Sequence, residues 1–287
     1  MDIREIRAFV AVADQRSVSR AAEQIHLSQP AVSKRIASLE EQLGTRLFDR
    51  VGRNVLITEA GQTFLPHARH ILHSIDDGRK AIDNLASSVG GRLLLGTSHH
   101  IGLHRLPPIL RTYSQQYPGV NLQLHFNDSE LVIEKILNGD LDIGVVTLPS
   151  RNIEYLHCQT LWKDKLLFVV SREYTVKSTV TPDELIRMPS ILPERGTVTR
   201  DILERALSQF DISLTQTLST NYLETIKMMV SVGLGWSILP ETMITPELQA
   251  FRVKNIALNR NLGLVFDQRR TLPKAAKALL TIFEDIA

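Results

Sequence analysis

Residues 26–44 read HLSQPAVSKRIASLEEQLG. Val32, Ile36, Leu39 and Leu43 step by four, three and four, which is one apolar stripe of a helix. Ser28 is a natural cap for that helix, and Pro30 is tolerated in its first turn because the missing N–H has no intrahelical partner there. Gly44 closes it in the usual C-terminal glycine position. With the stripe turned inward, Gln29, Ser33 and Lys34 fall on or near the free face, and Arg35 follows them. Such groups can donate to phosphates and base edges, and the N-terminal turn adds free N–H groups and positive partial charge.

Upstream, Ile3, Ile6, Phe9, Val10 and Ala13 recur at helical spacing, and Ser17 can cap a second helix carrying Ala21, Ala22 and Ile25. Two helices joined by the short HLS turn form a helix-turn-helix, whose second helix enters a major groove N-terminus first. Downstream, TRLFDRVGRNVLIT reads as an apolar anchor at Leu47 and Phe48, a Gly-Arg-Asn turn and a strand at Val55–Thr58. That turn forms a wing on which Arg50 and Arg53 could reach flanking backbone. Residues 1–58 hold nine Lys/Arg against seven Asp/Glu, a net of +2, so position rather than bulk charge carries the DNA reading.

From Glu59 the pattern changes. Phe64, Ala68, Ile71, Ile75, Gly78, Ile82 and Leu85 alternate steps of four and three along one long helix. Such a seam wants a partner helix, most simply the same helix of a second chain; the alternative is that it packs on its own domain. SSVGG (87–91) is the best break in the chain. Beyond it RLLLGTS, VNLQLHF and LDIGVVTL read as strands and LPPILRTYSQQYP and SELVIEKILNG as helices, a βαβαβ order that predicts a parallel sheet. A second set follows: KLLFVVS, PSILPE, a helix over 198–210, SLTQTLS, the helix NYLETIKMMVSVG, strands near 236–239, 248–253 and 262–266, and a last helix over 273–286.

The bulk numbers agree with a two-domain protein. The chain has 287 residues, 43% hydrophobic and 22% charged, with a formal net charge of +2. No apolar run is long enough to span a bilayer, and MDIREIRAFV has no apolar signal core, so a cytoplasmic protein is expected. One cysteine, Cys158, excludes an intramolecular disulfide framework and reads as a small buried core residue. Met228 and Met229 read as helix core. No Ser/His/Asp set, carboxylate pair or phosphate loop has catalytic spacing, and GLGWS lacks the third glycine of a dinucleotide fingerprint; no enzyme activity and no cofactor is expected. His67, His70 and His73 spread over a helix face and read as solvated, so no metal is expected. His99, His100 and His104 cluster more suggestively.

The stretch from Phe9 to Gly61, with its paired Ala21-Ala22, LSQPAVS, LEEQLG, LFDR and TEAG, resembles the N-terminal domain of LysR-type transcriptional regulators. LDIGVVTLP and VSVGLGWSILP also sit where that family has similar segments. The resemblance implies an all-α winged helix-turn-helix (1–58), a dimerising linker helix and hinge (59–88), and an α/β effector-binding domain (89–287) built like a two-lobed periplasmic binding protein. Its first lobe spans about 89–161 and 265–287 and its second about 162–264. It also implies homodimers or homotetramers acting on an interrupted palindrome near a promoter, with RNA polymerase a further partner and no membrane. On this reading Ser28, Gln29, Pro30, Ser33, Lys34, Arg35, Arg50 and Arg53 contact double-stranded DNA.

In open α/β sheets ligands bind beyond the carboxyl ends of strands. The residues there are Thr97, Ser98 and His99 after the first strand, Asn127 after the second, Thr147 after the third, then Arg195, Thr197 and Asn221 in the second set. Hydroxyls, helix starts and one arginine suit a small anionic or zwitterionic effector, with Arg195 pairing a carboxylate and Thr97 and Ser98 donating hydrogen bonds. The same residue types also serve as plain helix caps. Two other readings stay open: an oxidant-sensing regulator of this fold using Cys158 or methionines, and a cytosolic ligand-binding protein whose N-terminal helices only assemble it.

Overall fold

Asp2 opens the first helix, α1 (Ile3–Gln15), through a reciprocal capping box with Glu5. The structure is a computed structural model that describes residues 1–51, 54–85, 88–210, 212, 214 and 218–284. Contacts divide the chain into two units, Met1–Leu85 and Ala86–Ala287.

In the first unit Ser17 caps α2 (Val18–Gln24), and Ser28 caps α3 (Gln29–Leu43), which ends in left-handed Gly44. The antiparallel strands β1 (Phe48–Val51) and β2 (Asn54–Ile57) form the wing, and α4 (Glu59–Asp83) follows from its cap Thr58. Ile6, Phe9, Val12, Ala21, Val32, Ile36, Leu39, Leu47, Phe48 and Ala68 make one core. The Phe9 ring lies 5.3 Å from that of Phe48 and 5.4 Å from that of Phe64.

Two expectations change here. Leu43 is 39% exposed rather than inward, because the helix has run past the core by its last turn. The α4 seam is split. Phe64, Ala68 and Ile71 pack into the unit's own core, so that half needs no partner. Ile82 and Leu85 stay 70% and 84% exposed.

The second unit contains β3 (Gly91–Thr97), α5 (His99–His104), α6 (Leu106–Gln116), β4 (Val120–Phe126), α7 (Ser129–Leu137) and β5 (Ile143–Thr147). Then come β6 (Leu156–Ser171), β7 (Thr179–Val180), α8 (Pro182–Ile186), β8 (Ile191–Leu192), α9 (Val198–Ser208), β9 (Leu218–Ser219) and α10 (Leu223–Ser231). Last are β10 (Ser237–Pro240), β11 (Leu248–Val253), β12 (Leu258–Asp267) and α11 (Lys274–Glu284). Most of the strand expected over 213–219, and the end of the last helix, lie outside the described residues.

The sheet runs β4-β3-β5-β12-β6-β11-β7, with β10 also on β6. The expected parallel order of the first three strands holds as β4-β3-β5, and β11 pairs parallel with the short β7. β12 pairs antiparallel with both β5 and β6, and β10 and β11 pair antiparallel with β6. The antiparallel part is built on β6, a 16-residue strand of which only KLLFVVS was read. It and β12 run side by side from one lobe into the other. The first lobe packs β3, β5, α6 and α11 around Leu93, Leu95, Ile109, Tyr113 and Leu279. The second packs β6, β10, β11 and α9 around Phe168, Leu203, Trp236 and Phe251.

Candidate functional site: a helix-turn-helix face and an interlobe cleft

Between α2 and α3 the chain turns in four residues. Ile25 N–H donates to Ala21 O, His26 takes a left-handed φ of 53°, and Leu27 N–H donates to Ala22 O at 2.9 Å. Ser28 Oγ then accepts the Ala31 N–H at 3.4 Å. Gln29, Pro30 and Lys34 are exposed, with Ser33 and Arg35 half-buried. Arg4 chiefly, and Arg35 to a lesser degree, hold the Asp2 carboxyl below its ordinary range. Arg50 stands on β1 opposite Val55, and Arg53 lies outside the described residues. Glu40 has a structural task. Its Oε1 accepts the N–H groups of Leu47 and Phe48 at 2.7 and 3.1 Å, which fastens the wing to α3.

A cleft of about 520 Å³ lies between the lobes of the second unit. Five of the expected residues line it: Ser98, His99, Thr147, Thr197 and Asn221. Three do not. Thr97 is fully buried, and its hydroxyl donates to Val145 O at 2.9 Å, so it is spent on the sheet. Asn127 uses its N–H on Thr97 O at 3.1 Å and does not line the cleft. Arg195 sits in the turn before left-handed Gly196, is 76% exposed, and has Nε 3.8 Å from Glu204.

The cleft's cation is Arg260 instead. It lies on β12 directly opposite Asp164 of β6, and both are buried. Its Nε donates to Asp164 Oδ2 at 2.8 Å and its Nη1 to Thr199 Oγ1 at 2.9 Å. Nη2 has no partner among the described residues. Beside it His100 is buried with both ring nitrogens unpartnered, and burial, then Arg260, push its pKa down to about 3. A buried polar group without a partner is costly, so an unpaired guanidinium edge and imidazole facing one cleft are a ready site for a ligand.

Polar contacts cross the cleft. Asn221 Nδ2 donates to Asp128 Oδ2 at 2.8 Å, Val198 N–H donates to Glu130 Oε1 at 2.8 Å, and His104 Nε2 lies 2.7 Å from Glu224 Oε1. Thr197 caps α9 as a plain cap residue would, through the Arg200 N–H.

Two side chains read as core are not. Cys158 is exposed on β6, and partial burial of its thiol pushes the pKa up, the opposite of an activated thiolate. Met228 is 51% exposed on α10. Among the described residues no group of three or more His, Cys, Asp or Glu is placed to hold a metal ion, and no helix is long and apolar enough to cross a membrane.

Comparisons with known proteins bear on both sites. Residues 3–62 match the family described as bacterial regulatory helix-turn-helix protein, lysR family, and residues 86–286 match the LysR substrate binding domain. A probable RuBisCO transcriptional regulator of Trichormus variabilis is 30% identical over 286 residues, covering 96% of this chain and 85% of its own. Full-length CbnR complexed with its target DNA superposes with a TM-score of 0.64 at 20% identity, covering all of both chains. The effector binding domain of QuiR in complex with shikimate superposes with a TM-score of 0.61 at 15% identity, covering 68% of this chain and 95% of that one. These two structures share the fold. With its two halves matching the two domains of one family in order, the chain belongs to the LysR family of DNA-binding transcriptional regulators.

Proposed function

We infer that α3 reads the operator through Gln29, Ser33 and Lys34, with Ser28, Pro30 and Arg35 supporting its N-terminal turn and Arg50 and Arg53 contacting the flanking backbone. The protein works in the cytoplasm on DNA and binds its effector without converting it. The effector is a small molecule with an anionic group, held in the interlobe cleft. One observation carries this: the buried, unpartnered Nη2 of Arg260 in that cleft. Ser98, Thr147 and His100 supply neutral hydrogen bonds around it. The shikimate held by the QuiR domain fits the same chemistry, since it is a small carboxylate. Effector binding regulates by favouring one lobe arrangement over another. Cys158 lends the oxidant-sensing alternative no support, since partial burial raises its thiol pKa rather than lowering it.

The test is Ser33→Ala with Lys34→Ala in the full chain. Losing a base-edge or phosphate contact on each side chain costs about 1–3 kcal/mol, so operator affinity in a mobility-shift titration drops roughly tenfold or more. The oligomer and the thermal midpoint stay as in the wild type. An oligomer that dissociates while specific DNA binding persists means these helices serve assembly.

A further inference from the structure

Behind the cleft lies a second space. A groove of about 1360 Å³ runs between α7 and the start of α9. Its wall is apolar where Ile133, Leu137, Pro149 and Ile153 meet, while its rim carries Arg151 and Arg205 beside Glu134 and Asp201. Glu130 and Val198 line both the groove and the effector cleft. The two spaces are therefore separated by the hydrogen bond those residues make, Val198 N–H to Glu130 Oε1 at 2.8 Å.

We propose that the cleft and the groove form one binding site for an amphipathic carboxylate, with its anionic head at Arg260 and its apolar tail in the α7–α9 groove, and that Glu130 is the gate between them. This rests on the effector reading above and names the ligand class. Three features bear on it. The head position has a buried cation with a free donor, Nη2, and a free imidazole. The head position is ringed by Ser98, Asp128, Thr147 and Asn221 beside Arg260, whereas the adjoining groove is larger and walled by Ile133, Leu137, Pro149 and Ile153. The partition is a single side-chain carboxylate on the first N–H of an 11-residue helix, the kind of position an anion occupies. A carboxyl side chain can leave it by rotating about its own bonds, with no rearrangement of the backbone. Rotation of Glu130 also frees a lobe-to-lobe contact, so a ligand long enough to pass the gate changes how the lobes are held, and a short one does not.

The experiment is calorimetric titration of the full-length protein with straight-chain carboxylates from acetate to decanoate, below micelle concentrations. Binding is expected for acetate and butyrate, with affinity rising about fourfold per methylene in the longer acids as each buries apolar area in the groove. Ser150→Trp, an exposed groove-rim position, is expected to leave butyrate unchanged and flatten that rise. Acetate and decanoate binding the wild type equally overturns the shared site and leaves the anionic cleft standing. Absence of binding by every acid, acetate included, overturns both. The wild-type series alone decides the matter if the tryptophan variant does not fold.

Discussion

His100 is a neutral imidazole held in the cleft by burial and by the adjacent guanidinium of Arg260, with its pKa at about 3. An unfolded chain binds a proton there below pH 6.5, and the folded protein does not until about pH 3. The unfolded state thus carries the extra proton across that window, and stability falls as pH drops through it, by up to about 1.4 kcal/mol per pH unit. His100→Gln keeps a neutral polar side chain and removes the titration. Urea unfolding at pH 7, 5.5 and 4.5 is expected to show the wild type losing stability more steeply than the variant toward acid. Equal slopes mean that His100 is already protonated in the fold. Legibility at this scale divides along a physical line. Ser98, His99, Thr147, Thr197 and Asn221 were readable because strand ends and helix starts are visible in the pattern. Arg260 was hidden because its strand was expected to start at Leu262. In fact Leu258, Arg260 and Leu262 all point inward, and a buried arginine breaks the apolar alternation unless its partner Asp164, 96 residues away, is known.

Elements in the winged unit are tied to one another at the start of α4. Thr58 N–H donates to Leu47 O at 3.0 Å, and its hydroxyl donates to Arg46 O at 2.8 Å and accepts the Gly61 N–H at 3.0 Å. A Cβ on Gly61 would collide with the Leu47 carbonyl and lie 2.7 Å from Ile57 Cγ1. Glycine inside a helix ordinarily costs about 1 kcal/mol against alanine, so Gly61→Ala would stabilise an open site. Here the neighbour is backbone, which cannot move aside as a flexible side-chain tip does. The substitution is expected to destabilise the unit by about 1–3 kcal/mol in thermal unfolding and to loosen the wing. A higher midpoint would show that the β1 strand yields freely. The caps of α2 and α3, the wing and the glycine stop after Leu43 were all legible, since each follows from local chemistry. In the effector domain the parallel set β4-β3-β5 was legible, and the direction of the later strands was not. Alternating strands and helices suggest parallel pairing, while the antiparallel return of β12 depends on partners distant in sequence.

At the scale of the whole molecule, the exposed end of α4 and the turn after it are the feature the described fold leaves unexplained. The first half of its seam is consumed by the core around Phe9, whereas Ile82 and Leu85 point to solvent at 70% and 84% exposure. Burying a large aliphatic side chain is worth about 1.5–3 kcal/mol, so two on each of two chains favour pairing at this end of α4. A two-fold pairing places the same patch of both chains together and presents two recognition helices to successive major grooves, as an interrupted palindrome requires. Ile82→Asp with Leu85→Asp puts charge at both positions without touching the winged core. Sedimentation equilibrium is expected to show the dimer weakened about a hundredfold or more. Operator affinity falls with it, because each half-site is then bound singly and the second contact no longer follows from the first at high effective concentration. Thermal unfolding of the winged unit is expected to stay unchanged. An intact dimer with full operator affinity would move assembly to the effector domain and leave the exposed seam without a partner.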